Sequence, residues 1–263
     1  FSPDPDPKPP APGPIGPVDP PKPNPPKSNP PKTGSGGNDQ VIRDISTAVA
    51  KFNGNSTQAQ IIASGANSIT IGSQTIYIGT EQVSSNNQNP ILRSFDPKNP
   101  KNNWKRRDIE TSGTDGRGYG LLWTGKSLYG VFSVDGTQND GTDFRKAASG
   151  AQQNWLKSYG FGGGARIGII GQIDPSTGKL LKAAHLSAIT SSGRTNTLNI
   201  SDATVNGKGN LVIKAKSFFS PRQPDGSAKE QKPGNNADSP FDYTVELTSD
   251  LSRVVKTTAP GWS

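Results

Sequence analysis

The sequence lacks cysteine and methionine altogether, contains a single histidine and has no long apolar run. Without cysteine, the chain has no disulfide, no cysteine-ligated zinc or iron–sulfur site and no thiol nucleophile. No stretch approaches the roughly 18 apolar residues of a membrane span, so we expect no transmembrane segment. Because no initiator methionine is present, we interpret Phe1 as a mature end whose signal peptide has been removed. This interpretation predicts an extracytoplasmic protein, secreted or associated with the cell surface.

The scarcity of histidine also argues against catalysis. His185 lies in the apolar run 180–186, a setting typical of a structural side chain, and a Ser–His–Asp system would need it as its base. The sequence has no G-x-S-x-G elbow. The glycine-rich run 160–165 precedes a predicted strand instead of a helix, so it is not a dinucleotide fingerprint. We predict that the protein is not an enzyme, with a secreted hydrolase using paired carboxylates as the second alternative.

Positive charge is in excess. The chain has 29 lysines and arginines against 21 aspartates and glutamates, a net charge of +8. Such an excess favours acidic partners, among them an acidic protein, an anionic polysaccharide and a membrane surface. For an extracytoplasmic protein we expect a protein partner, self-assembly or one of these surfaces, and not nucleic acid. Solubility alone is the other explanation of the excess.

Proline dominates the beginning of the chain. Fifteen of the first 31 residues are proline, which excludes helix and sheet and leaves polyproline II, about 3.1 Å per residue. Pro-Pro-Lys recurs every five residues and ends at Lys22, Lys27 and Lys32, so these lysines spread around a rod with three residues per turn. We predict an extended proline/glycine-rich arm over residues 1–38. It spaces the rest of the chain from a surface, or docks on a partner through the three lysines.

Residues 39–263 are predicted to form an all-β domain. From residue 61 onward, short runs of β-branched and aromatic residues alternate with Gly, Asn, Asp and Pro. Helical spacing of apolar residues over 39–53 and 143–159 predicts two helices, the second with Thr142 or Asp143 as its N-cap. The polar stretch 220–240 contains four prolines and is predicted to be a long exposed loop.

The all-β domain contains a repeated pattern. Each repeat begins with a predicted hairpin, and the three hairpins span 69–79, 121–131 and 203–213, with turns at Gly72-Ser73, Gly125-Lys126 and Asn206-Gly207. Each hairpin is followed by an alternating strand, an Asp-centred turn and another strand, over 91–109, 169–186 and 243–258. The repeat units are therefore predicted at about 61–110, 111–190 and 191–263, each with four antiparallel strands.

The Asp-Pro turns of this repeat resemble those of a known class of repeat proteins. A strand that ends in Asp96-Pro97 or in Asp174-Pro175 and leads to the next strand resembles the blades of bacterial β-propeller repeat proteins, over residues 61–263. The resemblance implies blade-like four-stranded sheets. Three units cannot close a propeller, which needs at least about four blades. The alternatives are a fourth blade built partly from residues 39–60, a ring shared by two chains, a β-sandwich or an open stack.

Two clusters are candidate binding sites. Basic residues flanking an aromatic ring are suited to an anionic polymer, and this cluster consists of Lys98, Lys101, Trp104, Lys105, Arg106 and Arg107. A charged hairpin that protects an edge strand is its structural alternative. Oxygen ligands around glycine turns suit calcium, and this weaker candidate consists of Asp135, Asn139, Asp140 and Asp143. The same polar loop also serves as a cap for the following helix, and no other cofactor is predicted.

Taken together, these features predict a non-enzymatic extracytoplasmic surface or assembly protein. Its proline-rich arm spaces or docks a β-repeat body that binds another macromolecule, and one version of this function is a subunit of an extracellular assembly. The alternative is a carbohydrate-binding module, for which an exposed tryptophan beside a groove would be expected.

Overall fold

The computed structural model describes residues 32–33, 41–138 and 141–263. Lys22, Lys27 and nearly all of the predicted arm therefore lie outside the described residues. The end of the arm forms strand β1 (Lys32–Thr33), which pairs antiparallel with β2 (Ile42–Ile45).

The helix predicted over 39–53 is wrong, because β2 lies within it. The β-branched residues Ile42 and Ile45 favour an extended backbone, and the whole of β2 pairs with residues 120–123 of the neighbouring strand. The Asp44 carboxylate further fixes this strand by accepting a hydrogen bond from the backbone N–H of Ser68 at 2.8 Å.

The protein is all-β, with helix α1 (Gln58–Ala63) before the first sheet. The first sheet is a four-stranded antiparallel meander. Its strands are β3 (Asn67–Ile71), β4 (Gln74–Ser84), β5 (Asn87–Phe95) and β6 (Lys105–Arg106). The predicted turn at Gly72-Ser73 is confirmed, because Ile71 pairs with Gln74. In the β5–β6 turn Asp96 accepts hydrogen bonds from the N–H groups of Lys98 and Asn99, and a 3₁₀ helix (Pro100–Asn102) follows.

The second sheet has six strands, because β1 and β2 extend a four-stranded meander at one edge. The meander consists of β7 (Gly116–Trp123), β8 (Leu128–Val134), β9 (Ile167–Ile173) and β10 (Leu180–Leu186). The predicted turn at Gly125-Lys126 is confirmed by the Trp123–Leu128 pair. Between this sheet and the next lies a two-stranded ribbon of β11 (Ala188–Ile189) and β12 (Thr195–Asn196).

The third sheet is again a four-stranded antiparallel meander. Its strands are β13 (Leu198–Val205), β14 (Leu211–Ser217), β15 (Phe241–Leu247) and β16 (Val254–Thr258). The turn predicted around Asn206-Gly207 is present as a longer loop, closed by a hydrogen bond from the N–H of Asn206 to Asn210, and Gly209 takes the positive φ of 79°. The described strands form no closed barrel or propeller ring.

The three sheets stack as layers with the second sheet in the middle. One face of the second sheet shares a core with the first sheet through residues such as Phe132 and Ile76. Its other face shares a core with the third sheet through residues such as Val131 and Ile213. Neighbouring residues on β8 thus point into different cores, as the period of two in a strand requires.

The two outer faces of the stack differ. The outer face of the first sheet is covered by the segment around α1, where Phe52 and Ile61 pack against Tyr77 and Ile91. The outer face of the third sheet is polar and solvent-facing, with Lys214, Thr244 and Lys256 among its residues. Since neither outer face is an open apolar surface, each end of the stack is capped.

The insertion between β8 and β9 wraps the edge strand β10. It begins with α2 (Asp143–Ala148), whose N-cap is Thr142, and continues through a 3₁₀ helix (Asn154–Leu156). Phe144 packs in the core of the first and second sheets, whereas Leu156 packs in the core of the second and third. The predicted helix is confirmed only for its first turns, because the backbone turns at Gly150 to pass around the edge of the sheet.

The stretch 220–240 is not the freely exposed loop that its prolines predicted. Arg222 and Lys229 are buried, and the backbone of Glu230 exchanges two hydrogen bonds with Ser263. The indole Nε1 of Trp155 donates to the carbonyl of Pro224 at 3.1 Å. Residues 231–240 are mostly exposed.

Candidate functional site

Arg106 joins three elements on one edge of the molecule. From β6, its guanidinium donates to the carboxylate of Asp143 at the start of α2 (2.5 Å) and to the carbonyl of Gly178 in the β9–β10 turn (3.3 Å). Its Nε donates to Asp108 at 2.7 Å. Burial lowers the pKa of Arg106, but the combined ion pairs with Asp108 and Asp143 outweigh it and raise the pKa overall. Arg106 therefore fixes the relative position of β6, α2 and the β9–β10 turn.

Two further residues of the predicted basic cluster also make internal contacts. Trp104 is half-buried, and its indole Nε1 donates to the carbonyl of Pro175 at 2.9 Å. Arg107 forms two hydrogen bonds with the buried carboxylate of Glu81, at 2.6 and 2.9 Å. The aromatic ring and both guanidinium groups thus hold the first sheet together and against the second.

The lysines of the cluster remain on the surface. We define the lysine face as the exposed or half-exposed lysines that surround the Arg106 junction: Lys98, Lys101, Lys105, Lys146, Lys157 and Lys179. Lys105 adjoins Arg106, Lys179 adjoins Gly178, and Lys146 lies one helical turn after Asp143. Within the described part of the chain, none of the six forms an ion pair. The lysine face is therefore a set of surface cations without ion-pair partners that is carried by three elements, with Lys105 on the opposite side of β6 from Arg106.

An open depression lies at the α2 end of the lysine face. It has a volume of about 390 Å³ and is lined by Arg145, Lys146, Ser149 and Lys157. Three of these four residues are cationic, and the fourth contributes a hydroxyl group. Anions are the ligands that such a lining attracts.

A row of buried, hydrogen-bonded polar side chains packs under the insertion between β8 and β9. His185 of β10 is fully buried, with Nδ1 at 3.2 Å from the carbonyl oxygen of Leu156 and Nε2 at 3.0 Å from Oε1 of Gln138. Nε2 of Gln138 in turn donates to the buried carboxylate of Glu110. Burial lowers the pKa of His185 to about 4, and the charge of Arg145 acts in the same direction. His185 thus ties down both Gln138 and Leu156, which flank α2, and has no access to a substrate.

The candidate calcium ligands are separated by arginines. The carboxylate of Asp135 accepts hydrogen bonds from Arg117 at 2.8 Å and Arg166 at 3.0 Å, while Asp143 is bound to Arg106. Asn139 and Asp140 lie outside the described residues. Among the residues that are described, no three His, Cys, Asp or Glu side chains come together as a metal site.

Sequence patterns did not predict the aromatic ring that is most exposed among the described residues. Phe161 is 71% exposed on the glycine loop that follows the 3₁₀ helix of the insertion, and the guanidinium carbon of Arg194 lies 4.9 Å from its ring centre. The glycines on both sides were the available signal, because they leave no neighbouring side chain to cover the ring. Trp155, in contrast, is docked on Gly226 and Pro224 and stacks with Arg222.

Most of the net positive charge lies in the β body, which is also most of the chain. Residues 1–38 contain four lysines and three aspartates, so the arm contributes +1 and residues 39–263 contribute the remaining +7 of the net +8. Charge-dependent binding is accordingly expected of the body. The side chain of Lys32 lies outside the described structure, as do Lys22 and Lys27.

No protein-family model, curated protein or solved structure matches the chain. None of the helices in the described ranges has the length and apolar character needed to cross a membrane.

Proposed function

We propose that the protein is a non-enzymatic extracytoplasmic binding protein whose β body binds an anionic polysaccharide and whose proline-rich arm holds that body away from a surface. The lysine face carries the proposal. Its six lysines come from β6, α2 and the turns beside them, and the contacts of Arg106 bring these elements to one edge.

The lysines and the arginines of the basic cluster have different roles, and this difference supports binding at the lysine face. Lysines on flexible stems remain available to an extended polyanion, whereas the arginines that form directed hydrogen bonds build the scaffold beneath them. Six surface cations without internal counter-ions raise the local concentration of an anionic polymer and release its bound counter-ions when it docks.

An assembly formed from copies of this chain is the second candidate. The two capped outer faces disfavour assembly by stacking of sheets, because α1 covers one face and charged side chains occupy the other. The arm offers a different route, since β1 already pairs with an edge strand of the body. Sedimentation analysis separates the candidates, because the assembly predicts concentration-dependent growth and the binding module predicts a constant monomer mass.

The direct test measures retention of the whole chain on immobilised polygalacturonate as the salt concentration rises. A Lys98→Gln/Lys101→Gln/Lys105→Gln variant should elute at clearly lower salt than the native protein. The matched control is Lys208→Gln/Lys214→Gln/Lys256→Gln, which removes the same charge from exposed lysines at the other end of the stack. Equal shifts in the two variants, or no retention of the native protein at low salt, would contradict the proposal.

The role of the arm is tested separately. A chain that begins at Pro31 keeps β1 and should bind polygalacturonate as the full chain does, because the charge lies in the body. Loss of binding in the shortened chain would assign the recognition to the arm instead.

A further inference from the structure

The backbone around Phe161 is held firmly although its side chain is exposed. The N–H of Thr195 donates to the carbonyl of Phe161 at 2.6 Å, and the Thr195 hydroxyl donates to the carbonyl of Tyr159, also at 2.6 Å. Gly162 forms a β-bridge with the same threonine. Tyr159 is buried, so the loop is anchored in the core. The ring is therefore presented to solvent on a fixed support, at the cost of exposing its apolar surface.

Arg194 occupies one side of this ring. Its guanidinium carbon lies 4.9 Å from the ring centre, within the range of a cation–π contact. With 71% of the residue exposed, a second side of the ring remains open to a ligand. A flat apolar surface next to a fixed cation suits a molecule that has both an apolar face and an acid group.

Hydroxyl groups lie in the turn that leads to Arg194. The β11–β12 turn that precedes Arg194 carries Thr190, Ser191 and Ser192, and the Thr190 hydroxyl is hydrogen-bonded to that of Ser192 at 2.9 Å. The backbone N–H of Arg194 donates to the Thr190 hydroxyl at 3.0 Å, which fixes the turn. Hydroxyl groups both donate and accept hydrogen bonds, as the hydroxyl groups of a sugar require.

We propose that Phe161 and Arg194 form a subsite for one acidic sugar residue of the bound polysaccharide. The C–H face of the sugar ring lies on the open face of Phe161, whose negative π surface attracts it, and the sugar carboxylate pairs with Arg194. This inference rests on the proposed function and specifies its ligand. Lys157, four residues before Phe161, links the subsite to the basic depression along the same insertion.

A single-stranded nucleic acid also has flat rings and negative charge. Such ligands are usually bound by several aromatic side chains that stack successive bases. In the described part of the chain only one other aromatic residue, Phe219, is exposed among the large apolar side chains. A single exposed ring is better suited to one sugar ring than to a series of stacked bases.

The test compares binding of the whole chain to three soluble probes in calorimetric titrations. The probes are oligogalacturonate, polyglutamate as a carboxylate polymer without sugar rings, and oligothymidylate. Phe161→Ala should weaken oligogalacturonate binding about tenfold and leave polyglutamate binding within about twofold. Phe161→Trp should retain the native affinity, and Phe219→Ala is the matched control.

Equal losses on oligogalacturonate and polyglutamate, or no effect of Phe161→Ala on oligogalacturonate, would overturn the subsite and leave the proposed function in place. A loss confined to oligothymidylate would overturn it in favour of nucleic acid. If the native protein binds none of the probes, the proposed function fails together with the subsite. Retention of circular-dichroism spectra and unfolding midpoints shows that the variants are folded.

Discussion

Nε1 of Trp104 donates a hydrogen bond to the carbonyl oxygen of Pro175 at 2.9 Å, across 71 residues of sequence. The contact joins the two Asp-Pro turns of the described residues, since Trp104 follows the turn at Asp96 and Pro175 lies in the turn at Asp174. Gly178 lies beneath the indole ring with a φ of 71°, and a methyl group there would overlap the ring.

Gly178→Ala should therefore lower the free energy of unfolding by about 2–3 kcal/mol, because a left-handed backbone and a steric overlap act together. Urea denaturation measures the loss. Gly193→Ala is the control, since Gly193 has a φ of 78° with open space around it. It should lose only about 1 kcal/mol, and equal losses would show that the ring contact contributes nothing.

Arg107→Ala should lower stability, whereas Lys105→Ala should weaken binding and leave stability unchanged. Removal of Arg107 leaves the Glu81 carboxylate buried, with the backbone N–H of Gly54 as a remaining donor. Because Arg107 is itself half-exposed, we expect a loss of about 2 kcal/mol of stability. Lys105→Ala should change stability by less than about 0.5 kcal/mol and weaken polygalacturonate binding. If Arg107→Ala is as stable as the native protein in urea, the Glu81 ion pair has no structural role.

The stability of the native protein should fall as the pH decreases from about 6.5 to about 4. The unfolded chain binds a proton at His185 near pH 6.5, whereas burial lowers the pKa of this side chain in the fold to about 4. The unfolded state is therefore favoured progressively across this interval, by up to about 3 kcal/mol. In His185→Gln this contribution is absent. Urea midpoints of both proteins at pH 7, 5.5 and 4 provide the comparison, and parallel pH profiles would disprove the assignment.

Arg222→Lys should be destabilising although it conserves the charge. The buried guanidinium donates to the carbonyls of Ser187 at 3.1 Å and Gly226 at 2.6 Å, and it stacks on Trp155. A lysine cannot reproduce this planar arrangement, so we expect a loss of about 2 kcal/mol. Arg253→Lys, at an exposed position, should be neutral. The two thermal unfolding midpoints decide the question, and similar values would count against a directed role for Arg222.

The sequence predicts the meanders well because their turns are local. Gly72 and Gly125 have positive φ values of 62° and 87° at the expected hairpin turns. Asp174 accepts hydrogen bonds from Ser176 and Thr177, as an Asp-centred turn requires. Such turn signals depend on a few adjacent residues, so they can be recognised in the sequence without knowledge of the fold.

The sequence predicts only part of the candidate site, because the geometry of the site depends on contacts between residues that are far apart in the sequence. Spacing predicts that Arg106 and Lys105 belong to one basic cluster, but two of the partners of Arg106, Asp143 and Gly178, lie 37 and 72 residues away. The strand at Ile42–Ile45 differs from the predicted helix for the same reason, because its pairing partner lies near residue 120. Sequence spacing alone carries no information about such contacts.

Because both outer faces of the stack are covered or polar, a further sheet is most easily added in the middle of the stack. The second sheet shares an apolar core with a neighbouring sheet on each of its two faces, so a duplicated copy of it could be inserted between the end layers without exposing a new apolar surface. The insertion with α2 and Phe161 belongs to this layer. Each added layer would thus bring another copy of this insertion, and under the proposed function the affinity for a long polysaccharide would rise through avidity with no change in any single contact.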